Sequence, residues 1–169
     1  MLPFFKAITG DQRYDELHLQ YIAYYGGYCW ALDDKIGSTT AKDLRQIITG
    51  TVTGGVTFQS PGYPLANQPS KCAAFATNGH ISLTGVPSPS STYSISVWVN
   101  CTTPSSGTEQ VILGSTVSAS SIAVLSIKNG NVLACFSAGT KRNKSGPITT
   151  GWHHICYSCL LYTSPSPRD

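Results

Sequence analysis

Tyr93-Ser94-Ile95-Ser96-Val97-Trp98-Val99-Asn100 decides how the rest of the chain is read. Tyr93, Ile95, Val97 and Val99 alternate with Ser94, Ser96 and Asn100, the two-residue period of a strand with one face on a core. Trp98 interrupts the small polar residues on the second face, which predicts local cover there as well. An antiparallel sheet in a two-layer sandwich fits this pattern best.

Downstream of that strand the punctuation is regular. Val111-Ile-Leu113 and Ile122-Ala-Val-Leu-Ser-Ile127 read as strands, and Asn129-Gly130 between Ile127 and Val132 predicts a two-residue hairpin into Val132–Phe136. Trp152–Tyr157 supplies the next strand. Upstream, Gly50–Phe58 holds two short β-branched pieces around Gly54-Gly55, and Ser60-Pro-Gly-Tyr-Pro64 reads as a loop. Cys72–Phe75 and His80–Leu83 are short strands separated by a tight turn at Asn78-Gly79. Before all of these, Thr9-Gly-Asp-Gln12 resembles a capping box. Tyr14, Leu17, Tyr21 and Tyr25 recur at helical steps, and Gly26-Gly27 ends the segment. A short N-terminal helix is expected there, with its aromatic stripe read as packing.

Composition agrees with many strands and turns: 11% charged residues, 16 Gly and 10 Pro in 169 residues. Strands recurring at roughly 8–12-residue spacing point to an all-β sandwich or jelly roll.

Six segments in order carry a family likeness: Trp30-Ala-Leu-Asp33, Gly37-Ser-Thr-Thr-Ala-Lys-Asp43, Gly50-Thr-Val-Thr-Gly-Gly-Val56, Ala74-Phe75, Tyr93–Val99 and Gly151-Trp-His-His154. Together they resemble laminin-G-like domains of the concanavalin A-like lectin superfamily, in the pentraxin-related branch of bacterial and phage surface proteins. The likeness runs from Tyr28 to Ser158. It departs at Arg45-Gln46-Ile47, where a small Ser-Gly-Asn turn is expected after Asp43, and at Cys101, where Lys or Pro is more usual. The last eleven residues, Cys159–Asp169, resemble a translated sequencing adaptor, and we set them aside as a non-native tail. The expected organisation is therefore a helical connector over 1–27 from an upstream region, an incomplete concanavalin A-like sandwich over 28–158 with closing strands missing, and the adaptor-like tail over 159–169. Such a fragment is expected to be unstable or oligomeric.

Setting the tail aside removes Arg168 and Asp169 together, so the net charge of +3 is unchanged. That mild balance gives no reason to invoke nucleic acid or an anionic membrane, and Lys141-Arg142-Asn143-Lys144 reads as a solvated loop. No stretch approaches ~18 consecutive apolar residues, so no membrane span is expected. Met1–Gly10 lacks the basic region and apolar run of a signal peptide, and a Met1 internal to a longer gene would leave any signal out of view.

Chemistry-bearing clusters are sparse. Cys29, Cys72, Cys101, Cys135 and Cys156 have no CxxC partner once Cys159 is set aside; their odd number fits either free buried thiols or a bridge whose partner lies in the missing part, and we favour thiols packed like small hydrophobes, Cys135 and Cys156 above all. His153 and His154 fall on opposite faces of one strand and cannot chelate together. His18 and His80 are isolated. Glycoside hydrolysis needs two carboxylates, and Glu109 is the only one between Asp43 and the tail. No catalytic, cofactor-binding or metal residue is assigned, and Asp33, Asp34 and Asp43 match no metal motif. The resemblance allows calcium for the complete domain, with ligand loops beyond Ser158.

What the resemblance implies is non-catalytic recognition: a module of a larger surface or virion polypeptide, at an extracellular surface or on a virion, that binds a glycan or surface protein through edge loops or a sheet face. The alternative is a purely structural decoration module of a phage tail or capsid, without a ligand site.

Overall fold

Alternating and β-branched segments become strands much as their periodicity predicts. The structure, a computed structural model, describes residues 27–65, 68–86, 92–117, 120–135 and 142–160. The expected N-terminal helix, with its aromatic stripe and His18, lies outside the described residues, as do residues 161–169.

The described residues form an all-β chain: β1 (Thr40–Lys42), β2 (Thr49–Thr53), β3 (Val56–Leu65), β4 (Gln68–Phe75), β5 (His80–Ser82), β6 (Thr92–Cys101), β7 (Gln110–Val117), β8 (Ser120–Lys128), β9 (Asn131–Cys135), β10 (Arg142–Pro147) and β11 (Gly151–Leu160). They make four sheets, in the orders β1-β2-β5, β3-β4, β6-β11 and β10-β9-β8-β7. Every pairing is antiparallel.

The Asn129-Gly130 hairpin forms as the sequence predicts. Asn129 has φ 49° and Gly130 φ 72°, the positive angles of a turn whose twist matches its strands, and Ile127 pairs with Val132. The Asn78-Gly79 turn also forms, with Gly79 N donating to Ala76 O at 2.9 Å. The strands flanking it, however, go to different sheets: β4 pairs with β3 and β5 with β2. A local turn signal does not specify which strands it joins. On β2, Gly50 allows close packing beneath β5, because a Cβ there would meet Ile81 Cγ2 at 2.5 Å.

Two expected loops are strands instead. Ser60–Pro64 belongs to β3, where Pro61 lies opposite Lys71 and Pro64 opposite Pro69, with register shifts on either side of Ser60-Pro61. In a two-stranded sheet each strand keeps an open edge, so a proline's missing N–H need not interrupt the ladder. Arg142–Lys144 pairs with Leu133–Cys135 as part of β10, an edge strand. A basic edge discourages pairing with a further strand.

The main core joins two of the sheets. Cys101, Leu125, Ile127, Ala134, Ile148 and Ile155 are buried together, with Ile95, Val97, Val99, Ile112, Leu113, Val132 and Tyr157 packed against them. The alternation of β6 is thus used as expected: its odd-numbered residues face the core. A separate set, Ala41, Ile48 and Phe58, is buried near the start of the described chain.

Candidate functional site

The unbroken register of β6 and β11 runs from Cys101 opposite Gly151 to Thr92 opposite Leu160. Because side chains alternate across a strand, the face turned from the core carries two facing rows. Ser94, Ser96, Trp98 and Asn100 lie opposite Ser158, Cys156, His154 and Trp152 respectively. The face holds no carboxylate, lysine or arginine.

The middle of the face is ordered by contacts between the rows. The Trp98 and His154 rings stack at 4.9 Å between centroids and 21° between planes. Ser96 Oγ lies 2.9 Å from His154 Nε2, and Cys156 Sγ lies 3.5 Å from the same nitrogen. Towards the far end, Ser94 Oγ and Ser158 Oγ are 3.0 Å apart. Trp98, Trp152 and His154 are half-buried, whereas Asn100, Cys156 and Ser158 are exposed. Beside β11 an open cleft of about 260 Å³ is lined by Val132, Ser145, Pro147, Ile148, His154 and Cys156, among others.

Cys156 corrects the expectation of a buried thiol. The strand-like surroundings were real, but parity turns Ile155 to the core and Cys156 to the open face. Among the described cysteine side chains Cys101 packs as a small hydrophobe, at 3% exposure, and burial pushes its thiol above the ordinary value while a hydrogen bond at Thr103 partly offsets the shift. The Cys135 side chain lies outside the described residues.

His153 and His154 do separate: His153 Nε2 donates to Thr149 O at 2.8 Å, while His154 joins the outer face. Asp33 and Asp34 are engaged through their carbonyls, which accept from Gln59 Nε2, the Asp34 contact at 2.9 Å. Asp43 is buried and accepts from Cys29 N at 2.9 Å and Ile47 N at 3.4 Å. These three aspartates are not brought together around a common point. Glu109 accepts from the buried Ser126 hydroxyl at 2.6 Å, and His80 stays exposed with Nδ1 3.2 Å from Asn78 O. Among the described residues there is no group of three or more His, Cys, Asp or Glu placed to hold a metal ion, and no helix is long and apolar enough to cross a membrane.

Sequence reasoning missed the row of Ser96, Trp98, His154 and Cys156. Its parity was visible, with Ser96 and Trp98 two apart and His154 and Cys156 two apart. The pairing that sets them opposite each other was not. A scan against protein-family models finds no match to the chain, nor do searches of curated proteins and of solved structures.

Proposed function

We propose that the chain is a laminin-G-like, concanavalin A-like sandwich module that recognises a neutral glycan without catalysis, through the outer face of β6 and β11. Its place would be within a larger surface or virion protein. The carrying observation is the Trp98–His154 stack at 4.9 Å, set among Ser94, Ser96, Asn100 and Ser158 on a face without charged residues. A sugar ring offers an apolar C–H face and a rim of hydroxyls; an indole accepts the first, and short hydroxyl and amide side chains pair with the second. The absence of carboxylate, lysine and arginine side chains from the face favours an uncharged ligand over an anionic one. Support for the sandwich is coarser: antiparallel sheets meeting in one apolar cluster, and six ordered segments resembling the family.

The test is a glycan array probed with the full chain, followed by titration of the strongest neutral oligosaccharide. Trp98→Ala is expected to weaken binding by roughly tenfold, the loss of one aromatic contact, with the far-UV circular dichroism unchanged. An array with no neutral glycan bound, or binding that survives Trp98→Ala and Asn100→Ala alike, would overturn the proposal in favour of a structural decoration module.

A further inference from the structure

The geometry points to a property beyond ligand recognition: Cys156 is a reactive thiol paired with His154, and it forms mixed disulfides with small disulfides of the glutathione class. Cys156 is exposed at the rim of the open cleft. Its sulfur lies 3.5 Å from His154 Nε2 and donates to Ser96 Oγ at 3.7 Å, and Ser96 Oγ is itself 2.9 Å from Nε2. Three polar side chains from two strands therefore share one proton-exchanging corner. Trp98 stacks on the same imidazole, at 4.9 Å between ring centroids.

A thiolate, not a thiol, attacks a disulfide, and a neighbouring imidazole is a known means of generating one near neutral pH. His154 Nε2 takes the Cys156 proton, and the sulfur attacks one sulfur of the incoming disulfide. The new Sγ–S bond forms as the old S–S bond breaks, and the departing thiolate recovers the proton from the imidazolium. Cys156 is oxidised to the disulfide level, and half of the small disulfide leaves reduced. The cleft beside β11 has room for the retained half. Two of the other described thiols differ in setting: Cys101 is buried in the core, and Cys72 donates to Pro61 O at 3.3 Å.

The test is the rate at which glutathione disulfide modifies the full chain at pH 7, followed by mass spectrometry, with fragment ions separating Cys156 from Cys159 in the same tryptic peptide. Native Cys156 is expected to react about tenfold faster than the same residue in the urea-unfolded chain, and His154→Gln is expected to bring it down to the unfolded rate. A native rate no higher than the unfolded one would overturn the proposal, as would a folded His154→Gln variant that reacts like the wild type. If His154→Gln does not fold, the native-to-unfolded comparison decides alone. No glycan enters the assay, so its outcome is independent of the binding test.

Discussion

Asp43 shows how much one polar side chain can organise. Its carboxylate, 1% exposed, accepts from the backbone of Cys29 and of Ile47, while Leu44 N donates to Cys29 O at 2.8 Å. The chain before β1 is thereby tied to the turn after it. Asp43→Ala would leave two amides without acceptors, and a loss of about 3 kcal/mol in urea-unfolding free energy is expected. Three residues on from Asp43, Gln46 occupies the left-handed region at φ 57°, where the resembled family has a small turn residue. Non-glycine side chains pay roughly 1–2 kcal/mol there. Gln46→Gly is therefore expected to raise stability by about 0.5–1 kcal/mol in the same measurement, since the Gln46 N to Asp43 O bond at 2.8 Å uses only backbone. The role of Asp43 was not legible in the sequence, where it stood as one of three aspartates matching no metal motif. Its partners lie fourteen residues before it and four after it, and composition alone cannot distinguish a buried capping carboxylate from a metal ligand.

Along β6 the alternation has opposite consequences for its two faces. Inward, Cys101 closes the apolar row at the end of the strand, and its neutral thiol is the form the core accepts. Burial raises its pKa in the folded chain, so the folded state retains the thiol proton after the unfolded state has begun to lose it. Stability from this group is complete below the ordinary thiol value of 9.0 and falls as the pH rises through and above it. Urea unfolding at pH 8 and pH 10 is expected to show a smaller alkaline loss for Cys101→Ala than for the wild type. An equal loss in both would show that the decline arises elsewhere. Outward, the same strand presents Ser94, Ser96, Trp98 and Asn100 to β11, and the usefulness of that row depends wholly on its partner. The strand itself was legible because parity is a property of neighbouring residues. The prolines of β3 and the basic residues of β10 misled for the complementary reason: both residue types signal loops on average, and both are tolerated where a strand has an open edge.

Across the chain, energy is concentrated where the β6-β11 sheet meets β7–β10. Leu125 is 0% exposed within that cluster, whereas Val111 on the neighbouring β7 is 56% exposed. Leu125→Ala is expected to cost about 3 kcal/mol by lost burial and cavity formation, while Val111→Ala is expected to change stability by less than about 0.5 kcal/mol. Paired urea titrations measure the contrast, and comparable losses would contradict the burial pattern. By itself the sequence determined the all-β character, the inward and outward residues of β6, the separation of His153 from His154 and the Asn129-Gly130 hairpin. Each of these depends on residues a few positions apart, through side-chain parity or allowed backbone angles. Only the tertiary structure decided that β11 pairs with β6 across some fifty intervening residues, that β4 and β5 part to different sheets, and that Cys156 faces outward beside His154 and Ser96. Those outcomes depend on which strands meet and in what register, and that choice is made by burial of the whole apolar set rather than by any local pattern.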